Sequence, residues 1–139
     1  MTSTKNLWGE LSSYETLRTP YTILKEQASI LTEITNGLLM GEVKLFQPNS
    51  SNRNDLKFIA DLNIKVPSLN NYTYAVVSVE YSINLYPLVV NNYVVNDHGR
   101  NCSSEEEFEN ALGEILSSEE VKKVISALLA QIHADIPKS

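Results

Sequence analysis

The sequence predicts an α+β fold, in which an antiparallel meander sheet of four or five strands is covered by one N-terminal helix and two C-terminal helices. Three observations lead to this prediction: a segment with helical periodicity comes first, several strand-like segments follow, and two further helical segments end the chain. Consecutive strands joined by short turns pair antiparallel, and helices at both ends can lie on one face of the sheet. We therefore expect a two-layer sandwich, formed by a single domain over residues 1–139 with residues 1–6 as a flexible leader.

The first helix is predicted over residues 20–36. Thr19 can cap the free amide groups of its first turn, and Pro20 suits the first helical position because its missing N–H has no partner there. From Ile23 to Leu38 an apolar side chain recurs at steps of three or four residues, which places an apolar stripe on one face of the helix.

The segments on either side of this helix are simpler. Trp8, near the N-terminus, is expected to anchor its segment in the core. Residues 39–47 alternate as a strand does, with Gly41 as the site of a bulge. The run 48–55 contains turn-forming residues and no apolar residue, which predicts a loop between two strands.

Residues 56–66 show the most regular strand pattern, because every second residue is apolar and polar residues fill most of the gaps. A turn then leads to a strand over residues 72–84. The simplest alternation divides this strand into an inner set facing the helices, Ala75, Val77, Val79, Tyr81 and Ile83, and an outer set, Tyr74, Val76, Ser78, Glu80 and Ser82.

The end of the predicted sheet has two interpretations. Residues 85–90 form a further strand, in which Pro87 indicates an edge or a bulge. Asn91–Asn92 either closes a two-residue hairpin into a strand over residues 93–95 or is an irregularity within one longer strand. Both alternatives are compatible with the sequence.

After a polar loop over residues 96–102, two helices are predicted from their capping patterns. Ser103 with Glu106, and Ser117 with Glu120, have the spacing of a capping box, in which each side chain satisfies a free amide at the start of a helix. Apolar residues recur at helical steps after both boxes.

Composition excludes several classes of function. The formal net charge is −6 and the eleven Lys and Arg residues are scattered, so the sequence predicts no nucleic-acid binding. No apolar run approaches the length of about 18 residues that indicates a membrane span, and no secretory signal is evident, so we predict no membrane partner and a cytoplasmic location. The single cysteine excludes an intrachain disulfide.

The candidate catalytic residues lie in the polar loop. Cys102 precedes a predicted helix N-terminus, which favours a thiolate, while His98 could act as its base and Asp97 could orient the imidazole ring. The acidic run after Cys102 opposes a thiolate, so a polar loop with a cysteine beside a helix cap is the favoured interpretation. His98 and His133 belong to different elements and no HExxH pattern occurs, so no metal and no cofactor are predicted.

The candidate interface residues are Tyr74, Val76, Tyr86 and Leu88, which the simplest alternation places on the open face or near an edge of the sheet. Tyrosine is enriched at interfaces because it joins a large apolar ring to a polar tip. The alternative interpretation is that these side chains brace the sheet through cross-strand pairs.

We therefore predict a non-enzymatic protein-interaction module, a homodimer that uses its sheet face or an edge strand. The two-sided apolar character of residues 74–95 is the observation behind this prediction. An acidic chain whose helices flank an antiparallel sheet also resembles secretion chaperones in architecture, which implies a partner-binding role. The alternative is a small enzyme or ligand-binding domain with a pocket between sheet and helices near His98 and Cys102.

Overall fold

The computed structural model describes residues 4–11, 17–47 and 57–134, and it confirms the predicted fold class. The predicted loop 48–55 and the first residues of the leader lie outside the described residues. The elements, in chain order, are α1 (Pro20–Ile34), β1 (Met40–Phe46), β2 (Lys57–Val66), β3 (Tyr72–Ser82), β4 (Leu88–Asn92), β5 (Asp97–Cys102), α2 (Glu105–Leu116) and α3 (Glu119–Ala134). The strands form one antiparallel sheet in the order β1-β2-β3-β4-β5.

Helix α1 begins as predicted and is fastened to the first strand at its end. The Thr22 N–H donates to Thr19 Oγ1 at 3.1 Å, which caps the helix. Near its C-terminus, Thr32 Oγ1 accepts from the Gly41 N–H at 3.0 Å and Thr35 Oγ1 accepts from the Leu39 N–H at 3.2 Å. The two hydroxyls thus accept hydrogen bonds from the backbone amides of Leu39 and Gly41, which would otherwise be unpaired at the edge of the sheet.

Gly41 does not form the predicted bulge, because the pairing of β1 with β2 is continuous from Met40↔Lys65 to Phe46↔Ile59. The absence of a side chain at Gly41 allows the backbone of α1 to lie directly against β1. A Cβ atom at this position would lie 2.3 Å from the carbonyl oxygen of Ala28 in α1. Glycine is therefore required by the close approach of two backbones.

The bulge lies instead in β3, at Val76. Leu62 pairs with Val77 and the next residue, Asn63, pairs with Ala75, so Val76 is an extra residue on β3. Val76 and Val77 are both buried, 2% and 0% exposed. The predicted inner positions Val77, Val79 and Tyr81 are correct. Ala75, before the bulge, is exposed and does not face the core, and Ile83 lies beyond the strand and is 77% exposed.

The last hairpin differs from both interpretations of the sequence. Asn91–Asn92 ends β4, the turn spans residues 93–96, and the predicted polar loop is the edge strand β5. The Asn91 side chain accepts a hydrogen bond from the Gly99 N–H at 2.9 Å, where Gly99 has φ +88°. A strand forms here without apolar side chains because pairing with β4 satisfies its backbone.

Helices α2 and α3 form as predicted, with their caps one residue later. Ser104 Oγ accepts from the Glu107 N–H at 3.2 Å, and Ser118 Oγ accepts from the Val121 N–H at 3.3 Å. Each cap is the second serine of a Ser-Ser pair, so the sequence offers two hydroxyls at each helix start. None of the described helices has the length and apolar composition required to cross a membrane.

The core lies between the sheet and the three helices. Its largest side chains come from α1, α2 and the helix-facing side of the strands, and include Phe108, Ile23, Leu24, Leu88 and Val66. Trp8 is not part of it. Its side chain is 84% exposed, so the predicted core anchor is wrong.

Candidate functional site

The predicted nucleophile and base are not brought together. Cys102 is 1% exposed at the end of β5, where it pairs with Leu88 and faces the helices. His98 lies at the start of the same strand, is exposed, and bonds to Asn96 Oδ1 at 2.9 Å. Its ring packs edge-on against Tyr93, with centroids 5.7 Å apart. The two residues lie four steps apart along the strand, which at about 3.3 Å per residue is about 13 Å, too far for proton transfer.

The environment of Cys102 also opposes a nucleophile. Burial raises the pKa of the thiol, Arg100 lowers it and Glu107 raises it further, with a net upward shift. Arg100 is itself paired with Glu114 at 2.7 Å. A recess beside β5 includes Asp97 and Arg100 among its lining residues, but neither Cys102 nor His98. This region therefore has no nucleophile–base geometry.

The four candidate interface residues face the core. Val76 and Leu88 are 2% and 1% exposed, and their assignment to the open face is wrong. Tyr74 is half-buried and lines a recess with Val124 and Leu128 of α3, so it too lies on the helix side. For Tyr74 and Val76 the reason is the bulge at Val76, which inverts the alternation before it, whereas Leu88 faces inward because it pairs with the buried Tyr81.

Tyr86 packs against the core under the start of α2. Within the described part of the chain, its buried hydroxyl makes no hydrogen bond. Burial, with the nearby carboxylates of Glu105 and Glu109, raises the pKa of Tyr86 to about 12. Tyr86 therefore packs at the junction of β4 and α2 and, lying outside the strands, makes no cross-strand pair.

The open face of the sheet is mainly polar at its centre. Asn63 and Ser78 are buried there among their neighbours, and Asp61 has one carboxylate oxygen that is buried without a hydrogen-bond partner among the described residues. Glu42 lies 3.8 Å from Lys65 across the first two strands. Within residues 74–95 the bulge accounts for the adjacent valines Val76 and Val77, which both point inward, whereas Val89 pairs with Glu80 and lies on the open face.

A groove lies on the helix side of the sheet. It runs between α1 on one wall and the α2–α3 junction on the other, with the sheet as its floor, and we call it the helix groove. Its deep end is a cavity of about 140 Å³, lined by ten apolar residues and one polar residue: Ala28, Ile30, Leu31, Ile34, Leu62, Ile64, Val76, Leu116, Val121, Ile125 and Gln27. Its floor is the core itself, whereas its mouth is open.

The other end of the helix groove is wider and charged. It has a volume of about 440 Å³ and shares Gln27 and Leu116 with the deep end. Arg18 lies there and is held by Glu109 at 2.6 Å, by Glu26 at 2.5 Å and by Glu105 at 3.3 Å. The hydrogen bonds that the Arg18 guanidinium donates to Glu26 and Glu109 raise the pKa of Arg18. The groove is therefore elongated along α1, apolar at one end and ionic at the other.

The rim of the deep end exposes apolar side chains. Ile34 is 71% exposed and Ile30 is 45% exposed. The sequence does contain a trace of this feature, because Ile30 and Ile34 widen the apolar stripe of α1 beyond what packing on the sheet requires. No motif marks it, since its walls come from segments about ninety positions apart.

Searches for metal-binding clusters among the described residues and for similar proteins gave no candidate. Among the residues that the structure describes, no three His, Cys, Asp or Glu side chains are grouped so that they could hold a metal ion. Comparison of the chain with protein-family models, with curated proteins and with solved structures found no match.

Proposed function

We propose that this protein is a non-enzymatic interaction module whose helix groove binds a short extended segment of a partner polypeptide. The observation that carries the proposal is the exposure of Ile34 and Ile30 at the mouth of a groove with a buried apolar floor. Apolar side chains in such a position gain stability only when another apolar group covers them. The elongated shape suits a peptide that continues past its anchor toward Arg18.

The volume of the deep end supports a side chain as the anchoring group. Pockets for small-molecule ligands enclose roughly 300–1,000 Å³, more than twice the 140 Å³ found here. A dry cavity of about 150 Å³ accepts a group of the size of benzene. One leucine, isoleucine or phenylalanine side chain therefore matches the deep end, with the neighbouring residues of the segment lying in the wider end.

One anchor limits the affinity. Burying a large apolar side chain contributes about 1.5–3 kcal/mol, and the backbone and flanking contacts must offset the ordering of the bound segment. We expect dissociation constants in the micromolar range, equivalent to roughly −6 to −8 kcal/mol.

Selection of phage-displayed random peptides on the full chain tests the proposal. We expect enrichment of peptides with a single large apolar anchor, whose binding is lost in Ile34→Glu and retained in Ile83→Glu. Ile83 is a matched control because it is 77% exposed in the turn after β3, away from the helix groove. Peptides that bind Ile34→Glu as well as the unchanged protein would refute the groove as the binding surface.

Self-association through the β1 edge is a second candidate. The exposed apolar residues Met40, Leu45 and Phe46 are 41%, 43% and 44% exposed along this strand, whereas the other edge, β5, exposes polar residues and ends in a buried cysteine. Since the Leu39 and Gly41 amides point away from β2 to the threonines of α1, alternation directs the Val43 and Leu45 amides outward as well. A second copy could add its own β1 there.

Sedimentation velocity at high micromolar concentration distinguishes this candidate. A dimer that Leu45→Lys dissociates and Ile83→Lys leaves intact would support edge pairing. A monomer, or a dimer that is indifferent to Leu45→Lys, would refute it.

A further inference from the structure

The segment of residues 4–11, which we call the arm, exposes three large apolar side chains outside the folded core. Leu7 and Trp8 are each 84% exposed, and Leu11 is 78% exposed. The hydrogen bonds of the arm are local: the Trp8 N–H donates to Asn6 Oδ1 at 3.0 Å, and Asn6 Nδ2 donates to the Gly9 carbonyl at 3.4 Å. With Gly9 at φ +72°, these bonds close a turn that presents Leu7 and Trp8 together.

The arm is attached at the charged end of the helix groove. Arg18, which lies in that end, is followed directly by the cap of α1. Twelve residue steps separate Trp8 from Pro20, and an extended chain spans about 3.3 Å per residue, or about 40 Å. The deep end of the groove lies at the level of Ile30, ten helical residues or about 15 Å from Pro20. The chain can therefore reach it with length to spare.

We propose that the arm of the same chain folds back along α1 and inserts the six-membered ring of Trp8 into the deep end of the helix groove. The cavity of about 140 Å³ accepts one group of the size of benzene, which is the size of that ring. Trp8 then covers Ile30 and Ile34, and its burial removes two exposed apolar surfaces at once. A docked arm would compete with a partner segment for the same groove. This competition rests on the proposed function, whereas the docking of the arm does not.

Because Trp8 is the only tryptophan of the chain, its fluorescence reports docking without any label or partner. In the full chain we expect emission that is blue-shifted relative to a synthetic peptide of residues 4–11, and a lower acrylamide quenching constant. An arm that docks half of the time shields the ring half of the time, which lowers the constant about twofold. Ile34→Glu should return both values to those of the peptide, while Ile83→Glu should leave them unchanged.

Two outcomes overturn the proposal. Emission and quenching equal to those of the free peptide, unaffected by Ile34→Glu, mean that the arm does not dock. A blue shift that appears only as protein concentration rises, in step with dimer formation, means that the occupant is the arm of a second copy.

Competition between the arm and a partner segment is tested separately. The binding of a peptide from the phage selection is measured on the full-length variant Trp8→Ser and on the unchanged protein. If the arm competes for the groove, this peptide binds Trp8→Ser more tightly than the unchanged protein, by about twofold where the arm occupies the groove half of the time. Equal binding to both proteins overturns the arm proposal and leaves the proposed function intact. A Trp8 signal that responds to Ile34→Glu when no peptide binds supports the arm proposal and counts against the proposed function.

Discussion

Replacing Gly41 by alanine should destabilise the protein strongly, because the added methyl group meets the backbone of α1. The new Cβ would lie 2.3 Å from the Ala28 carbonyl oxygen and 2.4 Å from its Cα. Favourable carbon contacts occur at about 3.5–4.0 Å, so α1 must move by roughly 1 Å, and no side-chain rotation can relieve an overlap between backbone atoms. That movement also stretches the bond from the Gly41 N–H to Thr32 Oγ1. Overpacking costs about 1–3 kcal/mol and a weakened hydrogen bond about 1 kcal/mol, so we expect a loss of about 2–4 kcal/mol.

Gly113→Ala is the matched control, since the same chemical change should have the opposite sign there. A Cβ at Gly113, in the exposed face of α2, meets no atom within 4 Å. Alanine is favoured over glycine within a helix by about 1 kcal/mol, so the free energy of unfolding should rise by about that amount. Urea unfolding followed by circular dichroism measures both variants. A loss below about 1 kcal/mol in Gly41→Ala would refute the close seating of α1 on β1.

Three further predictions concern ionisable side chains. Tyr86→Phe removes a buried hydroxyl that lacks a hydrogen-bond partner among the described residues, so the free energy of unfolding should stay equal or rise by about 1 kcal/mol. Burial raises the pKa of Tyr86 to about 12, while an unfolded tyrosine ionises near 10. The stability that the neutral form of Tyr86 provides is therefore complete below pH ~10 and is lost as the pH rises toward 12. Alkaline unfolding curves should show a smaller loss of stability in Tyr86→Phe than in the unchanged protein. Cys102, whose pKa is raised by burial, should react with a thiol reagent more slowly than free cysteine at neutral pH and reach the free rate only in urea. Arg18→Gln should lower the thermal midpoint more at low salt than at high salt, because its ion pairs are partly exposed and screened, whereas Lys123→Gln, on the exposed side of α3, should change it little.

The elements predicted correctly are those whose signal is local. Thr19-Pro20 fixes the start of α1, and the alternation of residues 57–66 fixes β2 together with its buried face. The strand β5 was missed because an edge strand needs little apolar surface: its residues from Asp97 to Asn101 are all exposed, and only pairing with β4 makes them a strand. That pairing is a property of the neighbouring strand and not of the segment itself.

The face assignment in β3 failed for a related reason. Val76 and Val77 are adjacent and chemically identical, so a period of two can be started from either one. The bulge places both inward, and which residue is extra depends on the register with Leu62 and Asn63. The candidate interface inherited this error, since Tyr74 and Val76 exchanged faces with Ala75.

The helix groove could not be predicted from the sequence because its walls come together only in the folded chain. Ile30 and Ile34 come from α1, while Val121 and Ile125 come from α3. Each set reads as part of an ordinary apolar stripe, and only their separation across the sheet turns two stripes into a groove.

The bulge at Val76 affects both the open face of the sheet and the helix groove. By turning Val76 inward it leaves the small Ala75 on the open face, whose central positions are the polar residues Asp61, Asn63 and Ser78. The same residue forms part of the floor of the helix groove, where it is 2% exposed beneath the exposed Ile34. One inserted residue thus moves apolar surface from the open side of the sheet to the helix side. A partner that depends on apolar contact therefore has more to gain between the helices than on the sheet, which is why the groove, and not the sheet face, is the surface to test first.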